Sequence, residues 1–426
     1  MAERIVFIHL PGEAEAVPAG RLTMIEQGLQ VQASRFAYGR RYLRRTNAVP
    51  VDPVSLPLAE GRAEPELVPT GGLALFGALR DATPDAWGRR VIENRLNAPP
   101  NGLPESTYLD HAGPHRAGAL DVRPTATSLP ADGVLPSVLD LSHLLDAASR
   151  IEKGEPVPAH LEIFFAGAPS VGGARPKAVV SVDGGEWIAK FPSNNDPFNV
   201  PLIEHATLEL ARGAGLDVPA MRMETLADGR HVMLIERFDR ERLAGGSVGR
   251  RHMVSALTLL ALHEQDSPDS SYAAMADALS QHGVGGCIAN DRSELFARMV
   301  FNILVTNDDD HLRNHAFLFD APSAGWRLSP LYDVVPKPQA AQERLLHLSV
   351  GPLGRAANLD NAMGGAGRFG LLPPDAAQII DRVVGVVRSW RGTFERLGVP
   401  ARDCDRVATA FRRAADIGMR NVEKYL

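Results

Sequence analysis

Acidic, amide and imidazole side chains are concentrated in residues 306–315, which read TNDDDHLRNH. Three consecutive aspartates repel one another unless a cation or a charged substrate compensates them. The stretch is therefore a candidate site for binding such a cation or substrate. The alternative is a solvated, aspartate-rich turn in which an acidic side chain caps a helix.

Two predicted elements position this acidic loop. Apolar residues recur at helical spacing over 294–305, which predicts an amphipathic helix ahead of the loop. The apolar run 316–319, a turn at 322–325 and a second run at 326–328 predict a β-hairpin behind it. A helix therefore delivers the loop, and a strand leaves it.

The predicted hairpin brings the chain back towards the acidic loop. We therefore expect Asp333, in the segment LSPLYDVVP, to lie close to Asp309 and Asn314. Two carboxylates and an amide oxygen form a set of hard oxygen ligands that suits Mg²⁺. The sequence thus predicts a magnesium site at this place.

A glycine-bearing segment earlier in the chain, SVGGARPK at 170–177, precedes a second predicted hairpin. The strands of this hairpin are AVVSV and EWIAKF, the turn is DGG, and the second strand carries Lys190. Glycines allow backbone N–H groups to approach phosphate oxygens, and a lysine adds a point charge to them. A Gly-Gly pair alone is weak evidence, whereas the pair together with Lys190 predicts a phosphate site.

The composition sets limits on the class of protein. A chain of 426 residues, 45% hydrophobic and 23% charged, is expected to form two domains or lobes of an ordinary globular protein. The formal charge of −6 argues against a general nucleic-acid coat. Cys287 and Cys404 have no metal-ligand neighbours, so we expect a reducing cytoplasm and neither a disulfide framework nor a cysteine-rich zinc site. No apolar run reaches membrane-spanning length.

Strand patterns dominate the first part of the chain, and helical patterns dominate the second. The patterns predict short strands within 4–46 and at 232–235, a capped helix with Pro84 at its first position, and a linker or long loops over 97–137. After residue 240 the strand signals fade until the hairpin that follows the acidic loop. This shift predicts a boundary near residue 240 between a β-rich part and a helical part, and we expect segments at 1–105 (β-rich subdomain), 106–240 (β-rich lobe) and 241–426 (helical lobe).

These motifs, in this order, resemble those of the HipA family of bacterial toxin kinases. The matching stretches are SVGGARPK (170–177), WIAKFP (187–192), LIERFDR (234–240), NDDDHLRNH (307–315) and LSPLYDVVP (328–336), and RDATPDAWGRR suits the family's N-terminal subdomain. The resemblance spans nearly the whole chain, although the HRD and DFG forms of ordinary eukaryotic-type kinases are absent. It implies an α+β, two-lobed protein-kinase-like fold, with a β-rich N-terminal lobe, an extra N-terminal subdomain and a helical C-terminal lobe.

The resemblance also assigns roles to individual residues. Asp309 would be the catalytic aspartate that accepts the hydroxyl proton, and Asn314 and Asp333 would hold Mg²⁺. Asp308 and Asp310 stand beside Asp309, but the spacing to Asn314 favours Asp309. The residues that would contact or surround ATP are Gly172, Gly173, Ala174, Arg175, Pro176, Lys177, Lys190, Glu236, Arg237, Phe238 (these last three through their backbone), His311, Leu312, Arg313, Asn314 and Tyr332.

Ser170, which opens the glycine loop, matches the serine at which HipA-like kinases phosphorylate themselves. A phosphate on Ser170 would carry nearly two negative charges where the phosphates of ATP must bind. The resemblance therefore implies self-inactivation. The alternative is a structural serine whose hydroxyl bonds the backbone of a turn.

Kinases of this family phosphorylate a serine or threonine of a translation factor, typically an aminoacyl-tRNA synthetase, using ATP and Mg²⁺. The resemblance therefore implies a cytoplasmic serine/threonine protein kinase that is the toxin of a toxin–antitoxin system. The implied partners are a helix-turn-helix antitoxin, a protein substrate and, through the antitoxin complex alone, operator DNA, with no role for a membrane. Two alternatives remain: a metal-dependent phosphohydrolase, and a non-catalytic co-repressor bound to DNA with its antitoxin.

Overall fold

The computed structural model describes residues 1–58, 66–130, 133–161, 165 and 173–426. They divide into a first unit of Met1–Asn195 and Met221–Val254, and a second unit of Asp196–Ala220 and Ser255–Leu426. The three-segment division of the chain stays a prediction. No helix in these described ranges is long and apolar enough to cross a membrane.

The strands of the first unit pair in antiparallel sheets. The strands are β1 (Ala2–His9), β2 (Ala16–Gln27), β3 (Gln30–Tyr38), β4 (Leu120–Arg123), β5 (Lys177–Val182), β6 (Gly185–Lys190), β7 (Met221–Thr225), β8 (His231–Glu236), β9 (Arg240–Arg242) and β10 (Val248–Arg250). They are arranged in the orders β3–β2–β1–β4, β5–β6–β8–β7 and β10–β9. The strands predicted within 4–46 and at 232–235 are confirmed.

Helices cover one face of the second of these sheets. The helices of the first unit are α1 (Arg40–Leu43), α2 (Gly77–Asp81), α3 (Ala86–Leu96), α4 (Glu105–His111) and α5 (Leu141–Glu152). Trp87 of α3 and Leu144 of α5 belong to one buried apolar cluster with Val180, Ala189 and Leu234 from β5, β6 and β8. This core gives the lysine-bearing strands a rigid support.

The hairpin of β5 and β6 follows from its turn residues. Asp183 and Gly184 both have positive φ, 49° and 77°, as a two-residue type I′ turn requires. The resulting register places Lys177 directly opposite Lys190. Because opposite residues of an antiparallel pair share a face of the sheet, both lysine side chains project from the same face.

Three predictions for the first unit are wrong. Pro84 is not the first helical residue, because α3 begins at Ala86 and its first turn donates the Trp87 N–H to the Gly173 carbonyl instead (3.1 Å). The region 97–137 is more than a linker, since it contains α4 and β4. Strands also continue after residue 240 as β9 and β10. The strands β4, β9 and β10 have only three or four residues each, too few for an alternating pattern to stand out.

The second unit is mostly helical. Its helices are α6 (Val200–Gly213), α7 (Ala256–Leu259), α8 (Tyr272–His282), α9 (Ile288–Val305), α10 (Leu359–Gly365), α11 (Pro373–Val387), α12 (Trp390–Arg396), α13 (Ala401–Val407) and α14 (Met419–Val422). The short β11 (Met253–Ser255) spans the boundary between the units, and β12 (Ala316–Asp320) and β13 (Gly325–Leu328) form the predicted hairpin.

The helix predicted at 294–305 exists, but it starts earlier. α9 begins at Ile288, and every residue from 295 to 305 is buried. The preceding residues, ANDRS, are polar and therefore give no apolar periodicity from which the first turns could be predicted. α9 thus forms a rigid, buried rod that ends where the acidic loop begins.

Candidate active site

A strained turn joins α9 to the acidic loop. Thr306 has a φ of 51°, in the left-handed region that a β-branched residue rarely adopts. Its hydroxyl donates to the Ala410 carbonyl (2.6 Å), and the backbone and side-chain amides of Asn307 donate to Asn302 on α9 (3.0 and 3.1 Å). These contacts hold the strained backbone in place, and strain of this kind tends to occur at functional sites.

Asp310 is the buried aspartate of the loop. It is 1% exposed, and its carboxylate accepts hydrogen bonds from the Tyr272 hydroxyl (2.6 Å) and the His347 N–H (2.7 Å). The Tyr272 hydroxyl in turn accepts a hydrogen bond from the Asn302 amide (2.9 Å). Asp310 therefore anchors the loop from inside and is not available to a substrate.

Asp308 and Asp309 differ in exposure. The carboxylate of Asp308, 16% exposed, accepts a hydrogen bond from the Gln339 amide (2.7 Å) and forms an ion pair with Lys337 (3.0 Å). The side chain of Asp309 is 79% exposed, and one of its oxygens lies 4.0 Å from Nε2 of His311. Of the three aspartates, Asp309 is thus the one that an incoming hydroxyl can reach.

Negative charge accumulates around Asp309. Partial burial raises the pKa of Asp309, and the charges of Asp333 and Asp308 raise it further, while His311 and Lys337 oppose the rise. A bound cation would lower this pKa and stabilise all the carboxylates. Within the described ranges, no group of three or more His, Cys, Asp or Glu side chains is arranged to hold a metal ion by itself.

Asn314 and Asp333 lie together beside the loop. The Asn314 amide donates to the backbone carbonyl of Asp309 (2.7 Å), which leaves its amide oxygen as the group that can serve as a ligand. Asp333 has a φ of 58°, a conformation that aspartate and asparagine tolerate better than most residues. Asn314 and Asp333 line one pocket with Asp310 and Tyr332. The structure therefore brings together the predicted metal ligands, whose role stays a prediction.

Other residues predicted to surround ATP in the second unit have partners of their own. Leu312 is fully buried, and the guanidinium of Arg313 pairs with Glu264 (2.6 Å). The Tyr332 hydroxyl donates to the Arg313 carbonyl (2.7 Å), while His311 packs edge to face against a second histidine ring. Contacts of these four residues with a nucleotide stay predictions, and those of the buried Leu312 are limited to the backbone.

The predicted glycine loop is described only in part. Ser170 and Gly172 lie outside the described residues. The residues that follow Gly173 are an exposed Ala174, a half-buried Arg175 and a buried Pro176. Their contacts with ATP stay predictions.

Gly173 and Lys177 are packed closely against each other. Gly173 has a φ of 113°, and a Cβ placed on it would collide with Nζ of Lys177. Lys177 is itself buried, and its carbonyl accepts a hydrogen bond from the Trp87 indole (2.9 Å). The backbone conformation favours glycine at 173, and the ammonium group of Lys177 beside it shares a face of the sheet with Lys190.

Arg237 belongs to a buried charge network. Its side chain is 2% exposed and donates to the carbonyl oxygens of His115 (2.7 Å) and Arg116 (2.8 Å) and to the carboxylate of Asp239 (2.9 and 2.7 Å). The side chain of Arg237 is therefore structural. The predicted adenine contact at 236–238 stays a prediction for backbone groups alone.

Glu186 completes this network. It accepts a hydrogen bond from Arg240 (2.9 Å) and contacts His115 (3.2 Å). Burial opposes its ionisation, but the hydrogen bond from His115 and the charges of Arg240 and Arg237 hold the pKa of Glu186 well below its usual range. The sequence does not reveal the network because its contacts to Glu186 and His115 join segments that lie 54 to 122 residues apart along the chain.

A pH experiment tests the buried state of Asp310. Burial raises the pKa of Asp310 to about 7, so the folded protein keeps a proton that the unfolded chain releases near pH 4. The stability from this group is present below about pH 4 and is lost as the pH rises towards 7. We expect wild type to lose up to about 4 kcal/mol of unfolding free energy relative to Asp310→Asn over that range. Urea denaturation of both proteins measures this, and a constant difference between them contradicts it.

Comparisons with known proteins show what this chain is similar to. The model of the "HipA-like C-terminal domain" matches residues 169–390, just over half of the 426 residues. A protein of Sinorhizobium fredii named "Putative kinase Y4mE" is 28% identical over 330 residues, 70% of this chain and 71% of that protein. A "Putative kinase" of Haemophilus influenzae is 29% identical over 175 residues, 38% of this chain and 50% of that protein.

A solved structure is similar over the whole chain. It is HipA of Shewanella oneidensis, determined in a complex with HipB and its operator DNA. The match has a TM-score of 0.67 and 18% identity, and it covers 99% of this chain and 97% of that one. This likeness confirms the predicted α+β, two-lobed protein-kinase-like fold.

Proposed function

This chain belongs to the HipA-like C-terminal domain family and is a HipA-type kinase, and on that premise we propose that it transfers the γ-phosphate of ATP to a serine or threonine hydroxyl of a protein. The observation that carries the proposal is the exposure of Asp309 between two engaged aspartates. Phosphoryl transfer needs a carboxylate that orients the hydroxyl, and Asp309 is the accessible one.

In the proposed step, the hydroxyl oxygen forms a bond to the γ-phosphorus while the bond from that phosphorus to the bridging oxygen of ADP breaks. The hydroxyl proton passes to Asp309, and the electron pair of the broken bond stays on ADP. Partial burial, together with the charges of Asp333 and Asp308, raises the pKa of Asp309. The exposure of Asp309 makes it reachable as this proton acceptor, and a bound cation would offset the carboxylate charges that raise its pKa.

Mg²⁺ fits the residues beside Asp309. The Asp333 carboxylate and the Asn314 amide oxygen are the ligands we assign to it, and phosphate oxygens and water complete such sites. The excess negative charge that raises the pKa of Asp309 is what a divalent cation would offset. When bound, Mg²⁺ would neutralise part of the negative charge on the phosphates of ATP.

The lysine pair supports ATP as the phosphate donor. Lys177 and Lys190 project from one face of the β5–β6 hairpin, and Gly173 precedes them. Two ammonium groups and a glycine backbone are suited to hold phosphate oxygens. A metal-dependent phosphohydrolase would use the acidic loop but would not need the lysine pair. A non-catalytic co-repressor would need neither the acidic loop nor the lysine pair. The presence of the pair therefore favours a kinase.

The partners are proposed from family membership. The solved HipA of Shewanella oneidensis lies in a complex with HipB and operator DNA. We infer that this chain likewise binds a helix-turn-helix antitoxin and reaches operator DNA through it. In this proposal the chain acts in the cytoplasm as a toxin, and its substrate is a translation component such as an aminoacyl-tRNA synthetase.

Self-phosphorylation gives a test that needs no substrate. Ser170 is expected to become phosphorylated during incubation with ATP and Mg²⁺, and the modified protein should bind ATP at least about 10-fold more weakly because like charges repel. Mass spectrometry and nucleotide titration measure the two effects, with Ser170→Ala as the control. Unmodified Ser170 in an active enzyme contradicts the self-inactivation, and full ATP affinity of the phosphorylated protein contradicts its mechanism.

A further inference from the structure

Lysine is rare in this chain, and three of its lysines lie next to segments that the proposed function uses. The sequence has 40 arginines and five lysines, and the lysines are Lys153, Lys177, Lys190, Lys337 and Lys424. Two of them form the pair on the β5–β6 hairpin, and Lys337 contacts the acidic loop. Lysine differs from arginine in carrying a compact point charge on a flexible stem, which suits contact with a single phosphate oxygen.

The backbone around Lys337 is held rigidly. Lys337 lies between Pro336 and Pro338, whose rings fix their own φ and disfavour helical geometry in the residue before each of them. The Lys337 N–H donates to the carbonyl of Thr306 (3.0 Å), the residue that begins the acidic loop. The segment therefore brings the lysine to the loop with little backbone freedom.

The ammonium group of Lys337 forms an ion pair with Asp308, the residue that precedes the catalytic candidate Asp309. Its Nζ lies 3.0 Å from Oδ1 of Asp308, and the other oxygen of Asp308 is held by Gln339 (2.7 Å). The charge of Lys337 also acts on the carboxyl of Asp309. The contact with Asp308 is an ion pair, the ammonium group carries three N–H donors, and the side chain is 64% exposed.

The ion pair between Lys337 and Asp308 contributes little to the stability of the fold. An ion pair with one exposed partner contributes roughly 1 kcal/mol or less. A cation held next to the residue that precedes the proton acceptor has a second use, because the phosphoryl group in transfer carries negative charge on its equatorial oxygens.

We propose that Lys337 is a catalytic residue that binds the phosphoryl group as it moves from ATP to the substrate hydroxyl, and that Asp308 is the positioning residue that holds its ammonium group. The proposal rests on the kinase function proposed above. As the bond to ADP breaks and the bond to the hydroxyl oxygen forms, Lys337 stabilises the charge on the phosphoryl oxygens. The proton still passes to Asp309, and the electron pair still stays on ADP.

A mimic of the transferring phosphoryl group gives a test without a protein substrate. Calorimetry would measure the affinity for ADP and Mg²⁺, with and without aluminium fluoride, in wild type, Lys337→Met and Lys153→Met. We expect similar ADP affinities in all three proteins. Aluminium fluoride should raise the affinity for ADP in wild type and in Lys153→Met. Lys153→Met is the control, because Lys153 is exposed at the end of α5. In Lys337→Met, the gain in ADP affinity from aluminium fluoride should be at least about 10-fold smaller.

The other outcomes of this titration would overturn the proposed role of Lys337 or the kinase function. Equal tightening in Lys337→Met and wild type overturns the proposal, and so does the absence of tightening in wild type that binds ADP. A wild-type protein that binds no ADP contradicts the kinase function itself, and the role of Lys337 falls with it.

Kinetics separates catalysis from a structural ion pair. For phosphate transfer, Lys337→Met should lower kcat about 100-fold and leave KM for ATP nearly unchanged. Lys337→Arg should recover part of kcat because it keeps the charge. Asp308→Asn should be milder than Lys337→Met because the ammonium group remains. A structural pair predicts equal effects of Asp308→Asn and Lys337→Met, and that result overturns the proposal.

Discussion

Replacing Asp309 with asparagine is expected to abolish phosphate transfer while the fold and most of the nucleotide affinity remain. The Asp309 carboxylate is the proposed proton acceptor, and groups of this kind contribute about 10²- to 10⁴-fold to a rate. Because its side chain is 79% exposed, the substitution removes little packing. Transfer from radiolabelled ATP measures the rate, and calorimetry measures the ATP affinity.

The neighbouring aspartates provide matched controls for this variant. Asp310→Asn removes a buried carboxyl that Tyr272 and His347 hold, so its main effect should be on stability. Asp308→Asn should reduce transfer less than Asp309→Asn does. Wild-type transfer in Asp309→Asn would remove its catalytic assignment, and loss confined to the Asp308 or Asp310 variant would move the assignment there.

Asp333→Ala is expected to weaken nucleotide binding that depends on Mg²⁺. The substitution removes a proposed carboxylate ligand, and we expect ATP affinity in the presence of Mg²⁺ to fall at least about 10-fold, or about 1.4 kcal/mol. Affinity measured without the metal should change little. Calorimetric titration with ATP, at several Mg²⁺ concentrations, gives both quantities.

The backbone at Asp333 calls for a second variant. Asp333 has a φ of 58°, which alanine adopts less readily than aspartate or asparagine. Asp333→Asn keeps the shape of the side chain and its tolerance of this φ but removes the negative charge. A loss of Mg²⁺-dependent ATP affinity in this variant therefore comes from the lost carboxylate ligand and not from a changed backbone. Unchanged affinity and unchanged Mg²⁺ dependence in both variants would remove Asp333 from the metal site.

Much of the fold could be predicted where the signal is local. The β5–β6 hairpin follows from Asp183 and Gly184, whose positive φ values fit its tight turn. The hairpin of β12 and β13 follows from two apolar runs and a short turn. By contrast, β4 pairs with β1 across more than 100 residues and has only four residues, so neither its pattern nor its partner is visible in the sequence.

In the candidate site, too, some features follow from local sequence and others depend on contacts between distant residues. The return of the hairpin predicts that Asp333 lies near Asp309 and Asn314, as the structure has it. Which aspartate is accessible depends on Tyr272 and Lys337, which lie far from the loop in sequence. The contacts of Arg237 with the carbonyl oxygens of His115 and Arg116 are likewise invisible in a motif, because those residues belong to a distant segment. Local patterns specify elements, whereas accessibility and charge depend on tertiary contacts.

The central claim is that this chain phosphorylates proteins on serine or threonine by means of Asp309. Quantitative phosphoproteomics of cells that express wild type or Asp309→Asn at equal levels tests it most directly. The account predicts at least one serine or threonine site, on a protein other than the kinase, that is strongly phosphorylated with wild type and not with the variant. Identical phosphorylation in the two samples, from proteins shown to be folded, would contradict it.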